Sequence, residues 1–281
     1  MKVIFVCLWC SLFCIENMVA QQCCSAKASS TAQFAMLTKS TSFKKAHTEP
    51  LPFSFSEQRG VITSILCNDG VKANLYEVRS TKPTTHYVVM IHEWWGLNDY
   101  IKREADRLQQ ELGNVTVLAV DLYDGKVATK RDDAAAYMSS AKEDRIRAIL
   151  YGVKQYAGND ARICTIGWCF GGGWSLQSAM MFGNNAAGCV LYYGMPEADS
   201  KKLQQLKAPV LGIFANNDKW ITPAVVKTFS GNMKQLGKQC TIAQYDADHA
   251  FANPSNPGYA KVFAEDAHAK VIEFMKKCFA Q

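Results

Sequence analysis

Gly167-Trp168-Cys169-Phe170-Gly171-Gly172 decides how this chain is read. Just upstream, Ala161-Arg162-Ile163-Cys164-Thr165-Ile166 has the apolar, β-branched character of a buried strand. Just downstream, Gly173 to Phe182 reads as a helix. The pattern is strand, sharp turn, helix, with Cys169 on the turn: the G-x-S-x-G nucleophile elbow with cysteine in place of serine. The glycines have a steric purpose, because the strand and the helix pack closely on either side of a strained turn and a Cβ at the flanking positions would collide. The N–H of Phe170 lies at the helix N-terminus, where it can face an oxyanion. The same helix end is expected to lower the thiol pKa. A lone cysteine reads equally well as an inert buried thiol, so the case depends on partners elsewhere.

A thiol nucleophile needs a base, and the base needs an orienting acid. His249, in Asp246-Ala247-Asp248-His249-Ala250-Phe251, follows the strand-like run Cys240 to Tyr245. Ligands and catalytic groups of open α/β sheets gather at such strand ends. His92 also ends a strand and is the rival base; His47 lies in a polar leader, His86 opens a strand, and His268 sits in a helical stretch that predicts exposure. For the acid, the buried strand from Pro209 to Ala215 runs into Asn216-Asn217-Asp218-Lys219-Trp220-Ile221-Thr222-Pro223. Asp218 alone could be a turn aspartate ahead of the Pro223 helix. The order Cys169, Asp218, His249, each after its own strand, is the nucleophile, acid, base order of the α/β-hydrolases.

These residues, with three further segments, resemble the dienelactone hydrolase family over roughly 57–281. The elbow is similar to that family's G-x-C-x-G-G; Val120-Asp121-Leu122-Tyr123 to its P-D-L-Y; Ile91-His92-Glu93-Trp94-Trp95-Gly96-Leu97-Asn98 to its strand-end glutamate followed by an aromatic, Gly and Asn; and Asp248-His249-Ala250-Phe251 to its histidine loop. The resemblance implies a Cys169, Asp218, His249 triad. It also implies that Glu93 contacts the resting thiol and helps switch it to thiolate, and that the Trp94 N–H is the second oxyanion donor beside Phe170. Strand alternation independently argues that His92 and Glu93 do not both face the thiol.

The departures matter as much. Members that act on dienelactones hold the substrate carboxylate with two arginines. One position corresponds to Asn253; the other, aligned through Tyr137, corresponds to Asp133, with Arg131 out of register. Asparagine cannot reproduce a charged bidentate grip, so a neutral ester, lactone or acylated sugar is expected instead. Trp94, Trp95, Tyr123, Tyr137 and Phe251, with Asn253, are the expected pocket lining.

The length of 281 residues, with 48% hydrophobic content, suits one α/β catalytic domain with a large core. The net charge of +6 is spread over pairs such as Lys44-Lys45 and Lys276-Lys277, which argues against a nucleic-acid partner. Metal-ligand spacing, P-loop and dinucleotide fingerprint are all missing from the sequence, so neither metal nor cofactor is expected; the expected partner is a small ester or lactone substrate, and the expected state is a monomer. Met1-Lys2, then Val3 to Ile15 almost wholly apolar, then Glu16 to Gln21, reads as a signal peptide over 1–20. That predicts a secreted or periplasmic protein with no integral membrane segment after cleavage; lipid on Cys23 is the weaker alternative. Cleavage would leave eight of the eleven cysteines, with Cys164 and Cys189 as buried thiols.

A polar leader is expected over 21–52 and the catalytic domain over 53–281. Leu51 to Glu57, Val61 to Cys67 and Val71 to Arg79 alternate like antiparallel edge strands, with Asn68-Asp69-Gly70 as a turn. Strands and helices then alternate, with one long helix over Asp132 to Tyr156, which predicts a doubly wound, mostly parallel sheet. A binding or thiol-reactive protein on the same fold is the competing functional reading.

Overall fold

The computed structural model describes residues 28–280; the segment read as a signal peptide, Cys23 and Cys24 lie outside them. One sheet of eight strands organises the chain: β1 (Val61–Leu66), β2 (Lys72–Val78), β3 (His86–Ile91), β4 (Thr116–Val120), β5 (Arg162–Trp168), β6 (Ala186–Tyr192), β7 (Val210–Ala215) and β8 (Cys240–Tyr245). The spatial order is β1-β2-β4-β3-β5-β6-β7-β8. β1, β2 and β4 pair antiparallel, and every later pairing is parallel. This is the sheet expected from the sequence. Its inner strands are buried on both faces, which is why they read as unbroken apolar runs and not as alternation.

Helices cover the sheet: α1 (Ser30–Met36), α2 (Thr41–Ala46), α3 (Asp99–Leu112), α4 (Arg131–Ser140), α5 (Glu143–Ala157), α6 (Phe170–Phe182), α7 (Ser200–Leu203), α8 (Pro223–Gln235) and α9 (Lys261–Ala280). α6 packs on β3, β5 and β6, and α9 on β5, β6 and β7. Because β3, β5, β7 and β8 run in parallel, the loops that follow them open at one edge. That edge receives Glu93, Cys169, Asp218 and His249.

Three expectations need correction. Residues 51–57 form no strand. Pro50 and Pro52 remove two ladder donors, and the segment is held by single contacts: Leu51 N to Ser255 O at 3.0 Å and Phe55 N to the Asp99 carboxylate at 2.9 Å. The long helix divides into α4 and α5 at Ala141 and Lys142, both extended (ψ 111° and 130°). There the Ser139 and Ser140 hydroxyls donate to carbonyls three residues back, and Glu143 and Asp144 supply acid for a new N-terminus. His268, expected on the surface, is buried between Glu104 and Glu111, at 3.1 and 2.8 Å.

The leader folds onto the domain. The Ser29 hydroxyl accepts from Ala32 N at the start of α1 and donates to Glu143 at 2.8 Å. The Ser30 hydroxyl donates to the buried Glu197 at 2.9 Å. Phe34 and Phe43 are 2% and 0% exposed. Burying each contributes about 1.5–3 kcal/mol, enough to dock a short polar segment whose helices could not persist alone.

Candidate active site

Cys169 sits at φ 54°, ψ −117°, between β5 and α6. The left-handed backbone costs a non-glycine residue of order 1–3 kcal/mol and is a mark of functional turns. A Cβ on Gly167 would lie 2.1 Å from Gly171 O, and one on Gly171 would lie 2.3 Å from His92 O. The strand, the helix and the β3 loop therefore meet through glycine alone, as the sequence reading required. The Phe170 N–H faces the Cys169 sulfur and favours the thiolate. Complete burial outweighs it: the thiol pKa is raised by desolvation, against His249 and Phe170, with the Glu93 charge adding to the rise. The helix end does act in the expected direction, but burial of the thiol more than cancels it, so the expected low thiol pKa is not reached.

His249 Nδ1–H donates to Asp218 Oδ2 at 2.5 Å. The other carboxylate oxygen accepts from Trp220 N at 2.8 Å and Ile221 N at 2.9 Å, which fixes it in the turn after β7. Burial opposes charge on both residues, but their mutual attraction wins: Asp218 lies below its ordinary value and His249 well above. His249 Nε2 is buried without a hydrogen-bond partner, and a ring nitrogen of His249 stands within 4.8 Å of Cys169 Sγ. His92, the rival base, is fully committed elsewhere. Its Nδ1–H donates to Glu93 O at 2.5 Å and its Nε2 accepts from Leu122 N at 3.1 Å.

Glu93 is buried, and desolvation pushes its pKa up to about 7. Its hydrogen bonds go to Tyr193 OH at 3.3 Å and Asn253 Nδ2 at 2.7 Å. The implied contact with the thiol is electrostatic in this conformation. Asn253, at the position of a substrate-binding arginine, instead grips the chain's own glutamate. Asp133 is exposed in the first turn of α4.

The expected aromatic lining divides. Trp94 is fully buried and packs on Trp95, ring centroids 4.9 Å apart. Tyr123 packs against Phe170 at 5.6 Å and Tyr137 at 6.1 Å. Phe251 packs against Tyr193 at 5.7 Å. A cavity of about 300 Å³ is lined by Glu93, Trp95, Asn253, Trp168, Tyr192 and His268, among others, but neither Cys169 nor His249 reaches it. This cavity therefore meets the site through Glu93 and Asn253.

What lies over the thiol is the leader. Phe43 packs edge-on against Trp94 at 5.7 Å and Trp220 at 5.1 Å, and Phe34 is 6.5 Å from His249. His47 packs on Trp94 at 4.4 Å and on His249 at 5.1 Å. Burial, then the neighbouring His249, push its pKa down to about 3. Sequence reasoning set His47 aside as leader and passed over Tyr193. The available signals were Phe43 and His47 one helical turn apart in an otherwise polar run, and a tyrosine directly after β6, at the catalytic edge.

The strand-end placement of these side chains on a mostly parallel sheet, with the elbow glycines, defines an α/β-hydrolase. The sequence model of the dienelactone hydrolase family matches residues 73–279, and the chain belongs to that family, whose members cleave esters and lactones; it is a hydrolase of that class. Protein usf of Aquifex pyrophilus is 28% identical over 74% of this chain and 95% of its own length. A Saccharolobus solfataricus protein, provisionally named a carboxymethylenebutenolidase, is 28% identical over 75% of this chain and 96% of its own. Among solved structures, a provisionally named dienelactone hydrolase from Klebsiella pneumoniae superposes with TM-score 0.68 at 23% identity, covering 77% of this chain and 97% of that one. The dienelactone hydrolase-like promiscuous phosphotriesterase P91 from metagenomic libraries gives 0.65 at 19%, covering 78% and 99%. At these identities the structural likeness speaks for the fold.

Proposed function

We propose that this chain is an exported cysteine hydrolase of neutral esters or lactones, with Cys169 as nucleophile, His249 as base and Asp218 as its orienting acid. The observation that carries the reading is the convergence of three separate strand ends, with His249 held by Asp218 at 2.5 Å and aimed at the thiol of a strained elbow. Cys169 Sγ attacks the carbonyl carbon while His249 Nε2 takes the thiol proton. The oxyanion is received by the N–H groups of Phe170 and Trp94, a contribution of about 3 kcal/mol per donor. The C–O bond breaks, the alcohol leaves with the proton from His249, and a thioester remains. Water, deprotonated by His249, hydrolyses it to the acid and restores the thiol.

A neutral substrate is favoured because Asn253 is engaged with Glu93 and Asp133 is exposed. Neither can offer the paired guanidinium grip that a carboxylate requires. Export is supported by the charged start and apolar run of the N-terminus. The test is a panel of p-nitrophenyl esters and carboxylated and neutral lactones, with wild type beside Cys169→Ala. Turnover of the neutral members, lost in the variant, is expected. Full activity in Cys169→Ala would overturn the mechanism, and preference for carboxylated lactones would overturn the substrate class.

A further inference from the structure

We propose that His47, Cys169 and His249 form a binding site for a zinc ion, which latches the leader onto the nucleophile. One ring nitrogen of each histidine and the sulfur of Cys169 all lie within 4.8 Å of one another, and all three residues are buried. Zinc binds cysteine sulfur at about 2.3 Å and imidazole nitrogen at about 2.0–2.1 Å in a tetrahedron, which spaces its donors by about 3.3–3.6 Å. The three atoms stand inside the range from which such a site closes with small side-chain rotations.

Both imidazoles are already oriented as ligands. His47 Nδ1–H donates to Phe43 O at 2.8 Å, and His249 Nδ1–H donates to Asp218 at 2.5 Å. In the tautomers these bonds require, each Nε2 keeps a free lone pair for a metal. A backbone carbonyl and a carboxylate behind ligating histidines are the usual outer partners of zinc. Both Nε2 atoms are buried with no hydrogen-bond partner. Two such groups together are costly in a protein interior, and one ion between them and the sulfur satisfies both.

The donor set is borderline-soft, one thiolate and two imidazoles, which suits zinc over magnesium or calcium. Coordination forms a Zn–S bond as the thiol releases its proton to solvent, and the fourth position stays open to water. Zinc so bound occupies both the nucleophile and the base. It therefore inhibits hydrolysis, and does so through His47, a residue outside the catalytic apparatus and supplied by the segment that covers it.

The test uses cobalt as a spectroscopic stand-in, on the reduced full chain after chelation and desalting. One equivalent of Co²⁺ is expected to give thiolate-to-metal charge transfer in the near ultraviolet, with intense visible bands of a tetrahedral ion. Cys169→Ala should lose the charge-transfer band. His47→Gln should weaken cobalt binding by about 100-fold or more, a ligand mattering at least as much as its outer partner. His47→Cys, which keeps a ligand, should hold the ion with a stronger charge-transfer band; it also serves if the glutamine variant folds poorly. In parallel, one equivalent of Zn²⁺ should block iodoacetamide at Cys169, and a chelator should restore it. Charge transfer absent from wild type, undiminished in Cys169→Ala, or equally tight binding by His47→Gln would each overturn the site. None of these readouts needs turnover, so failure here is distinct from failure of the hydrolase reading.

Discussion

Two regions meet over the Cys169 sulfur, and they were built by different physics. The elbow is a local device: a strand, a φ of 54° and glycines whose absent Cβ atoms let three segments touch. Its form follows from about ten consecutive residues. The leader, described from residue 28, is polar by composition, and its short helices need contact to persist. It takes shape only because Phe34 and Phe43 find a surface made by Trp94, Trp220 and His249, far away in sequence. Local rules write the first region; only tertiary contact writes the second.

That contrast gives predictions of decreasing size. On the elbow side, Asp218→Asn keeps the shape of the turn but leaves the wrong imidazole tautomer facing the thiol. It should lower kcat for a neutral ester by about 10³–10⁴-fold, measured at saturating substrate; a loss below tenfold would detach Asp218 from the triad. On the leader side, Phe43→Ala removes a fully buried ring. A cost of about 3–4 kcal/mol concentrated on docking should raise iodoacetamide reactivity of Cys169 by about 140- to 700-fold, while hydrogen exchange quickens over 30–47 and stays slow in β5. Equal protection of both regions in the variant would show that the leader is not the cover.

The smallest effect lies where the two regions share a charge. Glu93, with a pKa pushed up to about 7, is an anion above that pH, and its charge raises the Cys169 thiol pKa. Glu93→Gln removes the charge and keeps the shape. Alkylation rises with pH as the thiolate forms, and in the variant that rise should begin at lower pH, with a rate about 3- to 10-fold above wild type near pH 8. Below about pH 6, where Glu93 is already neutral, the two should coincide. An opposite shift would mean that Glu93 assists thiolate formation by proton transfer from its resting place.

The same contrast explains what could be read from sequence. Short, β-branched apolar runs bounded by turn residues read as strands, so the sheet, its antiparallel edge and the strand ends bearing Glu93, Cys169, Asp218 and His249 were legible. So was the dismissal of His92, because neighbouring strand residues point apart. Residues 51–57 misled because alternation imitates a strand even where prolines forbid the ladder. The single helix over 132–156 was interrupted by serine hydroxyls competing for backbone carbonyls, which periodicity does not register. His268 and His47 were misjudged for one reason: burial of a histidine depends on which other element covers it. His268 is covered by α3 and His47 by the site it covers in turn. The role of Asn253 was half legible, since the loss of an arginine was plain but its bond to Glu93 was not.

The central claim is that the Cys169 sulfur carries the acyl group during turnover. The direct measurement is rapid acid quench of the protein during hydrolysis of p-nitrophenyl acetate, followed by peptide mass spectrometry. The account predicts one acetyl group on the peptide containing Cys169. It should be removed by hydroxylamine, be absent in Cys169→Ala, and persist longer in His249→Ala, where the water that resolves the thioester has lost its base. Steady turnover with no acyl group at Cys169, or with the acyl group on another side chain, would contradict it.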